Sequence, residues 1–170
     1  MSTWWRACLL LGLGGLLGLP AAMAQGERSE EMPLKVAIAY NLVLFTQWPG
    51  EAGWPAAAPL QWCADPAGRW WSALQTLQDR PVRQARISLR AIGRIGDTVG
   101  CQVVMVEGAL RAAAVAPGLL LMGDEGSASW TLRLERQGER MVFDVDLAAA
   151  RAAGLQISSK ALRLARQVQG

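Results

Sequence analysis

The stretch Met32–Trp48, MPLKVAIAYNLVLFTQW, constrains the fold more than any other part of the chain. Prolines bracket it. Pro33 suits a first helical position, where its missing N–H costs nothing. Pro49 cannot continue a helix and disfavours helical geometry at Trp48. Between them, apolar residues recur at Leu34, Ala37, Ile38, Leu44, Phe45 and Trp48, and Val36, Leu42 and Val43 widen the stripe. This spacing predicts a helix over Met32–Trp48, and a helix apolar on most faces belongs in an interior. Asn41 falls on the stripe. A buried amide needs partners, so Asn41 is expected to be a structural clamp on a neighbouring backbone segment. Trp48 is expected in the core.

Around this helix the chain alternates strands and helices. Leu60–Ala64 reads as a short strand. Gly68–Gln78 reads as a helix with Trp70, Trp71, Leu74 and Leu77 on one side. Ala85–Ile92 alternates apolar and polar residues, as a half-exposed strand does. Cys101–Val106 and Gly118–Met122 are short continuous apolar runs, typical of buried parallel strands, with a brief helix expected at Gly108–Ala114. Thr131–Glu135 and Arg140–Val145 flank Gln137-Gly138-Glu139, a hairpin pattern. Asp146 suits the N-cap of a helix over Leu147–Ala153, closed by Gly154 at C′. Ser158 or Ser159 then caps a helix over Lys160–Val168. These elements predict a single α/β domain: a mostly parallel central sheet with flanking helices, and a C-terminal β-hairpin plus helices. The chain's 170 residues suffice for one domain with a proper core.

Residues 1–24 read as a signal peptide. Arg6 supplies the positive end, Leu9–Leu19 is the apolar run, and Ala22-Met23-Ala24 is the cleavage site. The run is shorter than the about 20 residues a membrane span needs. Residues 25–170 are then the exported domain. Cys8 leaves with the leader. Cys63 and Cys101 remain, and an even pair in an oxidising compartment reads as a disulfide. No C-x-x-C pattern favours a redox pair. Removing Arg6 from 17 basic residues leaves 16 against 14 acidic ones, a charge of +2. That balance gives no support to nucleic-acid binding.

The sequence is poor in catalytic chemistry. It contains no histidine, which removes the commonest general base, zinc ligand and pH switch together. There is no nucleophile elbow and no P-loop lysine. Neither the cysteines nor the carboxylates have metal-site spacing. Asp144 and Asp146 share a strand face, but Asp146 is better read as a cap and Asp144 as an exposed strand residue. Asp124 and Glu125 follow a strand end, where α/β folds often place ligands; a solvated turn is the preferred reading. No catalytic residue, metal or cofactor is expected. Arg80, Arg83, Arg86, Arg90 and Arg94 form either an anion-binding patch or a solvated edge. Trp54, in the loop over residues 49–59, and one of Trp70 and Trp71 are candidates for exposed interface anchors.

Two motifs carry a resemblance to the YfiR family. Its opening pattern, K-A-x-x-x-Y-N-x-x-x-F-x-x-W-P, is met here by Lys35, Tyr40, Asn41, Phe45, Trp48 and Pro49, with Val36 in place of alanine. Its closing pattern is met by FDVDLAAARAAGLQISSKALRLA, Phe143–Ala165, with Asp146 for asparagine and Ala161 for leucine. Cys63 and Cys101 also fall at family positions. The match departs at Gly123–Trp130, where a G-F-x-x-x-G-G loop is usual. The resemblance implies a non-enzymatic periplasmic regulator. Such a protein binds the periplasmic region of an inner-membrane diguanylate cyclase and restrains it, lowering cyclic di-GMP and biofilm formation. The candidate partner contacts are Phe143, Lys160 and Arg163, with Trp54 at the rim. No cofactor is implied, and a homodimer is compatible with the pattern. The alternative is a periplasmic small-molecule-binding module with its cleft near Asp65 and Gly123–Ser127. A hydrolase working through carboxylates alone ranks last.

Overall fold

The computed structural model describes residues 21–50, 58–110 and 113–170. Residues 1–20 of the expected signal peptide, and Trp54, lie outside the described residues. Helix α1 spans Ala21–Leu44 and carries Pro33 in its interior. It therefore begins upstream of the expected start and stops short of Trp48. Its end is set by polar contacts. Thr46 Oγ1 donates to the Leu42 carbonyl at 2.8 Å, and the Arg83 guanidinium takes the carbonyls of Leu44 and Thr46. The chain then leaves as strand β1, Thr46–Gln47.

The face of α1 that packs is Val36, Ala39, Leu42 and Val43, all buried. The expected stripe is rotated away from it: Leu34 is 49% exposed, and Ala37 and Asn41 are exposed too. Asn41 does not clamp a neighbouring segment through its amide nitrogen. Its Nδ2 donates to Ala37 O of the same helix at 2.8 Å. A helix apolar on most faces has no unique inward face from period alone; here the buried Lys35 points its ammonium toward Asp124, 3.9 Å away, on the same side as the buried Val36, Ala39, Leu42 and Val43.

The central sheet has eight strands in the order β10-β8-β7-β6-β5-β2-β4-β3. They are β2 (Leu60–Ala64), β3 (Pro81–Val82), β4 (Ala85–Ala91), β5 (Val103–Met105), β6 (Leu120–Gly123), β7 (Leu132–Gln137), β8 (Arg140–Asp146) and β10 (Gln167–Gln169). All neighbours are parallel except β3/β4 and the β7/β8 hairpin. Side chains alternate between two cores, as the pleat requires. One core holds Trp62, Val103, Met105, Leu120 and Met122 together with α1. The other holds Cys63, Cys101, Val104, Val106 and Leu121. Cys63 and Cys101 form a disulfide with Cα atoms 6.0 Å apart, joining β2 to the start of β5.

The remaining helices are short. Helix α2 is only Trp71–Leu74, prolonged by a 3-10 turn over Gln75–Leu77. Trp70 is fully buried and so no anchor, while Trp71 is half-buried against the main core. The segment expected as a brief helix opens with a 3-10 turn, Gly108–Leu110. Helix α3 (Leu147–Ala152) is capped by Asp146, whose side chain accepts from Ala149 N. Helix α4 is Ser159–Leu164, capped by Ser158. It ends earlier than its apolar period suggests because Arg166 N donates to Phe143 O at 2.8 Å and the chain becomes the edge strand β10. Among the described residues no helix is long and apolar enough to cross a membrane.

Candidate interaction site

The N-terminal and C-terminal motifs, from opposite ends of the domain, meet in space. β1 pairs antiparallel with β9 (Gln156–Ile157), Thr46 against Ile157 and Gln47 against Gln156. Ser158 N donates to Phe45 O at 2.9 Å. The Lys160 ammonium sits 5.3 Å from the centre of the Phe45 ring, a cation–π contact. Gly154, at φ 71°, turns the chain toward β9, and a Cβ there would stand 3.5 Å from Pro49 Cγ. The left-handed backbone, rather than any lack of room, is what calls for glycine. Trp48 is buried behind this junction. Outward from it face Lys160, Arg163 and Leu164, the last 66% exposed.

Phe143 lies on β8, half-buried against the main core. Next to it, Asp144 is 1% exposed and not the surface residue its alternating strand suggested. Arg133 donates to it at 2.7 Å, and Arg166 engages both its oxygens while also pairing with Glu135. Burial alone would raise the Asp144 pKa. The hydrogen bonds from Arg166 and Arg133 outweigh it and hold the carboxyl below the usual range. Hydrogen bonding to Asp144 in turn raises Arg166 further above its ordinary value. Asp144 is thus a fastener for the C-terminal strand and has no proton to offer a reaction.

The strand ends, where an α/β sheet commonly holds ligands, are filled by the protein itself. Asp65 follows β2, Glu107 follows β5 and Asp124 follows β6. Glu107 accepts from the backbone N–H groups of Arg69 and Trp70 at 3.1 and 3.2 Å. Arg69 pairs with Asp124. The Lys35 ammonium is 2.6 Å from Glu31 and 3.9 Å from Asp124. A Cβ at Gly68 would stand 2.2 Å from the Glu107 carboxylate, and one at Gly123 2.4 Å from Ser127 Oγ. Asp124, 2% exposed, is therefore not a solvated turn residue, and the carboxylates of Glu107 and Asp124, where the cleft was expected, are taken up by the protein's own donors. Burial raises the Glu107 pKa, more than its N–H donors and Arg69 lower it.

The arginine run does not gather into one patch. Arg83 caps α1, Arg86 donates to Asp79 O, and Arg90 donates to Asp97 O and Val99 O. Arg94 pairs with Asp97. Arg83, Arg86, Arg90 and Arg94 are thus each engaged separately by the protein's own groups.

A family model described as YfiR/HmsC-like matches residues 33–166. The chain belongs to that family. No curated protein matches the chain. Membership associates this YfiR/HmsC-like protein with periplasmic regulation of cyclic di-GMP signalling through a membrane signalling protein, and the family is regulatory rather than catalytic. Several motif positions have a physical role here. Lys35 closes the buried charge network, Phe45 and Pro49 face Lys160 and Gly154, and Ser158 caps α4. Of the candidate contacts, Lys160 and Arg163 stand one turn apart on the open side of α4. Phe143 lies beneath, tied through its carbonyl to Arg166. Leu164 falls inside the closing motif, Phe143–Ala165, but off the face that Leu162, Ala165 and Val168 share at helical spacing, and it is exposed.

Proposed function

We propose that this YfiR/HmsC-like protein is exported by cleavage of residues 1–24. Its 25–170 domain then binds the periplasmic region of an inner-membrane diguanylate cyclase and holds the cyclase inactive. The observation that carries this reading is the junction of the two motifs into one surface. An exposed apolar residue, Leu164, stands there one position after Arg163 and one turn after Lys160, both exposed cations. A protein interface sets apolar contacts inside a polar rim, and the β1/β9 junction with Leu164 and these cations can supply both. The cations favour an acidic rim on the partner. Restraint by binding requires no catalytic group, in keeping with the fully paired carboxylates at Asp124 and Asp144.

The test is intracellular cyclic di-GMP in cells lacking the protein. It should rise, and wild-type protein should restore it. A double variant, Lys160→Glu with Arg163→Glu, should be exported and folded yet fail to restore it. An unchanged cyclic di-GMP level in the deletion strain would refute the regulatory reading. Full rescue by the double variant would refute the assignment of the surface.

A further inference from the structure

Between the outward side of α1 and the turn after α2 lies an open groove of about 300 Å³. Val36 and Leu77, both buried, form its floor. Ala37 and Ala73 form walls, and Asn41 and Arg80 stand with Tyr40 in the lining. Tyr40 is pinned by a hydrogen bond from its hydroxyl to Pro81 O at 2.6 Å. The volume lies at the small end of ligand sites, about 300 Å³ upward. It is too small for a partner helix, about 10 Å across with side chains, and suits one ring or a short aliphatic chain.

Arg80 is the one charged side chain lining the groove. It differs from its arginine neighbours. Arg83, Arg86 and Arg90 bond backbone carbonyls firmly and Arg94 has Asp97. Arg80 makes a single long hydrogen bond, Nε to Thr76 O at 3.4 Å, and no ion pair among the described residues. Its terminal nitrogens are left as a planar fork of donors beside an apolar trough. A guanidinium fork matches a carboxylate.

We propose that this groove is a binding site for a small amphipathic organic acid. The apolar body lies over Val36 and Leu77, between Ala37 and Ala73, and the carboxylate meets Arg80. This goes beyond the regulatory reading. The site uses the Pro33–Asn41 part of α1, apart from the motif junction that begins at Phe45. It would give the regulator a small-molecule input on the same helix.

The test uses isotope-labelled protein purified from the periplasm, titrated by NMR with phenylacetate, octanoate and the neutral phenylacetamide. At least one of the acids should shift the amides of Ala37, Ala73, Thr76 and Arg80 saturably. Phenylacetamide should bind at least about tenfold more weakly than phenylacetate, the loss expected for a charge-assisted hydrogen bond. Arg80→Gln, at an exposed position, should weaken the acids by about the same factor. Ala37→Phe should abolish binding by placing a ring in the trough from an exposed helical position. Should Ala37→Phe fail to fold, Arg80→Gln against wild type decides alone. Three results would overturn the proposal: no shift with either acid at millimolar concentration, equal binding by Arg80→Gln, or equal binding of the neutral amide.

Discussion

Replacing the cystine by Cys63→Ala with Cys101→Ala removes the covalent tie across the β2–β4–β5 crossover. β2 and β5 are already neighbours, Trp62 against Val103 and Cys63 against Val104. The bond therefore adds little to native contacts and acts mainly by closing the loop that carries α2, β3 and β4. The cysteines are separated by 38 residues. The loop-closure relation then gives an entropy of about 13 cal/mol/K, or about 4 kcal/mol near room temperature. A domain this size holds about 5–15 kcal/mol in all, so a large share of its stability rests on this bond. At about 2–4 °C per kcal/mol, the double variant should melt about 8–16 °C below wild type. The assay is thermal unfolding by circular dichroism without reductant, with reduced wild-type protein as control. Reduction should bring wild type to about the melting point of the variant. Alanine is preferred to serine because Cys63 is fully buried and Cys101 nearly so, where an unbonded hydroxyl adds its own penalty. A difference under about 2 °C would refute the loop-closure reasoning, since that corresponds to about 1 kcal/mol or less.

Other substitutions probe the joints described above. Asp144 has an ordinary value of 3.8 and a lower one when folded. The folded state therefore binds fewer protons, and its contribution is complete above 3.8 and lost as pH falls through the folded value. The stability gap between wild type and Asp144→Asn, from urea midpoints, should shrink as pH drops below 3.8; a constant gap would deny the ion pair its role. Glu107 has the opposite sign: its folded value lies above 4.5, so its contribution declines as pH rises past 4.5. Gly154→Ala should destabilise by about 1 kcal/mol from the left-handed backbone alone, read as a lower urea midpoint with unchanged slope. Ser158→Ala should lose about 1 kcal/mol with its cap. Asn41→Ala, exposed and bonded only within its own helix, should stay within about 0.5 kcal/mol of wild type. A large loss at Asn41 would restore the clamp that its place on the apolar stripe suggested.

Much of this architecture was legible from local pattern, because the physics there is local. The apolar runs at Cys101–Val106 and Gly118–Met122 are short and continuous, as strands buried on both faces are, and they form the centre of the sheet as β5 and β6. Asp146, Gly154 and Ser158 were legible as helix punctuation because a cap interacts with backbone three residues away. The orientation of α1 was not legible. Its apolar residues surround most of the helix, so period alone leaves the inward side undetermined, and contacts to distant segments choose it, Lys35 with Asp124 and Glu31 with Arg136 among them. The end of α4 was equally hidden. Its apolar spacing continues to Val168, but the sheet edge beside β8 captures Arg166 and draws the chain out as β10. Asp144 read as a surface residue because its partners, Arg133 and Arg166, are 11 and 22 residues distant and converge only when that edge closes. Side-chain period and caps were settled within a few residues of chain. Which face is buried, which charge is neutralised and where a helix yields to a strand were settled only by contacts between distant segments, whose energies have no local counterpart in sequence.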